Sequence, residues 1–103
     1  MRPDSATFAP NILFNCCTDL KEPDWRTFSD LELGGCIDAA EDGESGTMIE
    51  GGISRDEAQF FTIYGRLIAG GCEAITDCIS FHDAECIAAQ LCERSSLTLE
   101  IVC

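Results

Sequence analysis

The stretch that decides the fold runs from residue 60 to residue 103, FFTIYGRLIAGGCEAITDCISFHDAECIAAQLCERSSLTLEIVC. Phe60 to Ile68 is rich in β-formers and alternates. Phe60, Thr62, Tyr64 and Arg66 fall on one face, and Phe61, Ile63, Gly65 and Leu67 on the other. Ala69-Gly70-Gly71 reads as a hairpin turn. A second strand follows from Cys72 to Ile79, with Cys72, Ala74, Thr76 and Cys78 expected on one face and Glu73, Ile75, Asp77 and Ile79 on the other. Ser80 then has the character of a helix N-cap, with Asp83 in the capping-box position. Ala84, Ile87, Ala88 and Leu91 recur at the spacing of one helical stripe. Leu97 to Cys103 alternates again and is expected to return to the same sheet. The unit is ββαβ. It predicts an α+β protein: a small single-domain antiparallel sheet with one or two helices.

Working back from this unit, the pattern weakens. Ser54-Arg55-Asp56-Glu57 matches a capping box and predicts a short helical turn. Gly34-Gly35 and the run from Glu41 to Gly46 are turn and loop signals. Between them Cys36 to Ala40 reads as a short strand, with residues 47–50 as its hairpin partner. Pro23-Asp24 resembles a helix start, and Trp25, Phe28 and Leu31 recur at i, i+3 and i+6, which predicts a helix over about 23–31. Phe8 to Cys17 contains Ile12-Leu13-Phe14 and reads as a first strand, with Pro10 at its edge. Residues 1–7 have no pattern and are expected to form a loose terminus.

Length limits the architecture to one domain, because 103 residues leave no room for two cores. No apolar run reaches the roughly 18–20 residues that span a bilayer. The apolar run near the N-terminus is broken by Pro10, Asn11 and Asn15, which argues against a signal peptide. Nineteen acidic and six basic residues give a net charge of -13. Such a surface repels nucleic acid and anionic membranes and favours basic partners. The alternative reading of the acidity is solubility alone.

Eight cysteines in so short a chain allow 105 disulfide pairings. The periodic secondary structure and the small-apolar positions of several cysteines favour reduced, mostly buried thiols in a cytoplasm. The competing reading is a secreted, disulfide-stapled effector domain. Zinc sites usually pair thiolates as C-x₂₋₄-C, whereas the gaps after Cys16-Cys17 are 19, 36, 6, 8, 6 and 11 positions. No metal site and no cofactor is therefore expected. His82, the single histidine, and Cys86 share one face of the predicted helix, within reach of each other. No oxyanion-hole or nucleophile-elbow sequence accompanies them, so no catalytic residue is assigned and no enzyme is expected.

The remaining candidate is the acidic surface. Asp30 to Glu57 holds nine acidic residues against one basic residue, Arg55. Asp38, Glu41, Asp42, Glu44, Glu50, Asp56 and Glu57 are expected to form its core, with exposed Trp25 and Tyr64 as apolar anchors. The segment from about Asp56 to Glu93 (an aromatic-rich strand, a Gly turn, a strand ending in Asp, then an Ala-rich helix) resembles a ββα module of small accessory proteins of bacterial plasmids and phages. Small acidic proteins of that kind include anti-CRISPR proteins and antirestriction DNA mimics. The resemblance implies a non-enzymatic inhibitor in the bacterial cytoplasm, acting on a basic nucleic-acid-binding surface of a protein or ribonucleoprotein complex, without binding nucleic acid or membrane itself. It transfers no active residue.

Overall fold

Eleven consecutive residues, Phe28–Asp38, form the longest strand, β1, of a computed structural model that describes residues 10–40 and 49–103. Four more strands join it: β2 (Ile49–Ile53), β3 (Phe60–Leu67), β4 (Cys72–Cys78) and β5 (Leu99–Ile101). The order across the sheet is β2-β1-β3-β4, with β5 also on β1. β3 covers one edge of β1. The other edge is shared end to end: β5 pairs with Leu31 to Leu33, and β2 with Gly35 to Asp38. Every pairing is antiparallel except β1–β5, which is parallel. The sequence-predicted α+β class and the ββαβ unit are both present.

Among the described residues two α-helices accompany the sheet, a short α1 (Pro10–Leu13) and α2 (Phe81–Ser95). Ser80 caps α2, its hydroxyl accepting the Asp83 amide at 3.1 Å. The helix ends at Ser96, whose left-handed backbone (φ 63°) lets its amide close on the Cys92 carbonyl. Ala84, Ile87, Ala88 and Leu91 are buried as the stripe predicts. They meet Leu31 and Leu33 of β1, Phe61 and Ile63 of β3, and Ile75 and Cys78 of β4 in one core. Burying each of the larger side chains stabilises the fold by roughly 1.5–3 kcal/mol. The Arg26–Asp24 and Arg94–Glu22 pairs are exposed enough for water to screen most of their worth. The core therefore holds the sheet and the helix together.

Four expectations are corrected. The predicted helix over 23–31 is a single 3₁₀ turn, Trp25–Thr27, followed at once by β1. A bulge between Phe28 and Asp30 explains the misleading spacing. The extra residue turns Phe28 and Leu31 to the same side of the strand, so an i, i+3 repeat arises without a helix. In β4 a second bulge, opposite Ile63 and Tyr64, brings Ile75 inward together with Thr76, against the expected alternation. The predicted first strand is not one from Pro10 on: Pro10–Leu13 is helical, and the chain after it straps the outer edge of β4. There the Asn15 side chain receives the Asp77 amide at 2.8 Å and donates to the Asp77 carbonyl at 2.9 Å. The Cys16 amide donates to the Ile75 carbonyl at 3.0 Å. The Thr76 hydroxyl donates to the Leu13 carbonyl. A strand edge is thus satisfied by a side-chain amide in place of a further strand.

The predicted turn at Ser54 forms, with the Glu57 amide on the Ser54 carbonyl at 3.0 Å. Gly34-Gly35, read as a turn signal, lies inside β1, and the predicted short strand over 36–40 is the end of that long strand, which runs to Asp38. Of its predicted hairpin partner, residues 47–50, the described part belongs to β2, where Glu50 faces Ile37 and Ile49 faces Asp38. The loose terminus over 1–7 and the loop signals over 41–46 lie outside the described residues. Gly70 and Gly71 close the β3–β4 hairpin with φ of 112° and 82°. Gly65 has a different reason: a Cβ there would meet the buried Phe28 ring at 2.5 Å. Gly65→Ala must displace that ring from the core, at a cost of about 1–3 kcal/mol. A lower urea midpoint at unchanged slope would show it; an unchanged midpoint would contradict the close approach.

Candidate interaction surface

The structure divides the sequence-predicted surface residues into two groups. Asp38 ends β1, Glu50 lies beside it on β2, and Asp56 and Glu57 sit on the turn after β2. That turn is fastened to the same end of β1, because the Gln59 amide donates to the Cys36 carbonyl and the Asp38 amide donates to the Gln59 side chain. Tyr64 of β3 reaches toward this end, its hydroxyl 3.5 Å from where a side chain on Gly51 would begin. These five residues belong to one end of the sheet. Glu41, Asp42 and Glu44 lie outside the described residues.

Trp25 does not join them. It precedes β1, at the opposite end of an eleven-residue strand roughly 33 Å long. It packs between Phe14 and Phe28, with ring centroids 6.3 and 6.2 Å away. Its indole N–H donates to Glu22 at 2.6 Å. Neither Trp25 nor Tyr64 is the fully exposed aromatic expected of an anchor; both are half-buried.

The cations explain where the negative field survives. Arg26 is paired with Asp24 at 3.0 Å. Arg94 grips both oxygens of Glu22 at 2.9 Å, which ties the end of α2 to the N-terminal segment and holds the Glu22 carboxyl below its usual range. Arg66 is shared by Asp30 at 2.6 Å, Glu32 at 2.8 Å and Glu100 at 2.6 Å. This places one guanidinium across β1, β3 and β5. Its hydrogen bonds to Glu100 and Glu32 raise its pKa further. Arg55 lies 3.8 Å over the Phe81 ring and donates to the Cys103 carbonyl at 2.9 Å. No ion pair among the described residues reaches Glu50, Asp56 or Glu57. The same holds for Asp83, Glu85 and Glu93 on α2. Acidity is therefore projected from the β2 end of the sheet and from the helix, and not from the middle of the chain alone.

Beside the Arg66 cluster, a polar chain crosses the face of the sheet away from α2. Thr62 donates its hydroxyl to Asp77 at 2.6 Å. Its oxygen is then left to accept from the buried Cys36 thiol at 3.3 Å, and the Cys36 sulfur accepts from Tyr64 at 3.2 Å. Burial, and next the Cys36 contact, raise the Tyr64 phenol. The chain fixes the Tyr64 ring against the sheet.

All eight cysteines are unpaired. Burial is the main cause that pushes Cys16 and Cys78 up to about 12, with Asp77 adding to both. Burial also raises Cys17 and Cys92. These thiols stay protonated at neutral pH and lack the character of nucleophiles. Cys16 and Cys17 line a groove of about 490 Å³ with Lys21, Glu22, Phe28 and Glu73. Among the described residues no group of three or more His, Cys, Asp and Glu side chains is placed to hold a metal, and no helix is long and apolar enough to cross a membrane.

Comparison with protein-family models, with curated proteins and with solved structures found no match to this chain.

Arg66 offers a direct test of the charge arrangement. Arg66→Met leaves Asp30, Glu32 and Glu100 facing one another, and the variant should melt a few degrees below the wild type at neutral pH. Salt screens the repulsion among the three, so the deficit should shrink between roughly 0.01 M and 1 M salt, as the Debye length falls from about 30 Å to about 3 Å. Melting curves at both salt concentrations check this; an equal gap at both would contradict it.

Proposed function

We propose that the protein is a non-enzymatic inhibitor of a bacterial defence complex, encoded by a phage or plasmid, and that it works by binding. Its acidic end, built from Asp38, Glu50, Asp56 and Glu57 beside Tyr64, docks on a basic surface that otherwise holds nucleic acid. The observation that carries this reading is the sorting of charge. The arginines Arg26, Arg66 and Arg94 are matched by carboxylates of the same chain, whereas Glu50, Asp56 and Glu57 have no cation against them among the described residues. Carboxylates displayed without their own counter-charge present a field comparable to that of a nucleic-acid backbone. They steer association with a basic partner. Eight unpaired cysteines suit the reducing cytoplasm of a bacterial host. Trp25 has no part in this surface, because it lies at the far end of β1.

A pull-down of a CRISPR effector complex from bacterial lysate tests the reading. Retention at low salt should fall steeply as the Debye length drops toward about 8 Å at 0.15 M. The triple variant Glu50→Lys, Asp56→Lys, Glu57→Lys should bind at least about tenfold more weakly while its circular dichroism is unchanged. Absence of retention at every salt concentration, or equal retention of the variant, would contradict the proposal.

A further inference from the structure

His82 and Cys86 stand on the first two turns of α2, four positions apart, so both side chains leave the helix on the same face. Both are exposed. The Cys86 sulfur lies 3.8 Å from His82 Nε2. Neither side chain has another hydrogen-bond partner among the described residues. The pair is therefore a sulfur donor and a nitrogen donor held side by side on a rigid element and open to solvent.

That separation has a chemical meaning. A zinc-class ion takes a thiolate sulfur at about 2.3 Å and an imidazole nitrogen at about 2.0–2.1 Å. Two donors 3.8 Å apart meet on such an ion at an angle of about 120°. A closure of about 0.2 Å, within the reach of one side-chain rotation, brings the angle to the tetrahedral value. We infer that His82 and Cys86 form a bidentate chelate for a borderline divalent cation of the zinc class, with water in its remaining positions. Thiolate with imidazole selects zinc, cobalt or cadmium over calcium and magnesium, which prefer oxygen. On binding, Cys86 gives its S–H proton to solvent and the sulfur bonds the metal; Nε2 of His82 donates its lone pair while Nδ1 keeps the ring proton.

The electrostatics are mixed, and their balance favours binding. The positive end of the α2 dipole opposes a cation. Asp83 and Glu85 on the same two turns, neither in an ion pair among the described residues, and the net charge of -13 attract one. The expectation of no metal site came from cysteine–cysteine spacing, which is blind to a histidine and a cysteine one helical turn apart. With two protein ligands only, the ion is a surface ligand and not a structural clamp, so the fold does not depend on it.

The test uses the full, reduced, metal-free chain, titrated without oxygen with Co²⁺. The expected result is a thiolate-to-cobalt charge-transfer band that saturates at one Co²⁺ per chain and is discharged by added Zn²⁺. His82→Ala and Cys86→Ser should each abolish it, whereas Cys72→Ser, which removes the other exposed thiol, should leave it intact. Absence of a saturable band, or a band that survives either His82→Ala or Cys86→Ser, would overturn the inference. A measurement free of substitutions runs in parallel. Zn²⁺ should shift the His82 ring resonances of the wild type at one equivalent, and unshifted resonances would equally overturn it.

Discussion

A strand in the interior of a sheet must pair its amide and carbonyl groups on both sides or leave them buried without partners. β1 meets this demand with three different partners. β3 accompanies nearly its whole length, and β5 and β2 divide the other edge. Leu31 and Leu33 at its centre are fully buried, and they are where α2 and β3 meet. The parallel β5 reaches β1 only because α2 carries the chain over the sheet from β4. The helix thus serves two ends at once: it covers the apolar face and delivers the strand that completes the far edge.

Satisfying β1 leaves the outer edges to be managed, and each is managed by a different device. The outer edge of β4 is closed by Asn15 and Cys16, which supply donors and an acceptor where another strand would stand. β5 is only three residues long. β2 is short, carries Glu50, and is interrupted by an extra residue around Gly51 and Gly52. Short strands, charges and bulges all discourage edge-to-edge pairing with a second molecule. Glu50 therefore protects an exposed edge as well as contributing to the proposed docking surface. The three-way grip of Asp30, Glu32 and Glu100 on Arg66 keeps β1, β3 and β5 aligned on the uncovered face of the sheet.

The legible parts of the sequence were those where local chemistry and global packing agree. Ser80, the Ala84–Leu91 stripe and the Gly70-Gly71 turn each point to one structure, and each forms it. β1 was hidden because its bulge between Phe28 and Asp30 spaces apolar residues as a helix does, with Trp25 extending the same false period. The face of Ile75 was misassigned for the same reason, a bulge that breaks the two-residue repeat. The N-terminal strap was beyond pattern reading, since it depends on Asn15 meeting Asp77 sixty-two positions away. Of the surface, the acidic residues were visible, but not which of them are already matched by Arg66, Arg94 and Arg26. The exposed His82–Cys86 pair was visible as a spacing, but the distance that gives it meaning was not.

The claim that β1 is the keystone of the fold is tested most directly by native-state hydrogen exchange. The amides of Leu31, Leu33 and Cys36 should exchange only through global unfolding, and their opening free energy should equal that from denaturant melts. The amides of β2, β5 and the ends of α2 should open at lower cost. If β1 amides exchanged faster than those of β4 or α2, the central strand would open independently of the rest, and the architecture would have to be organised around a different element.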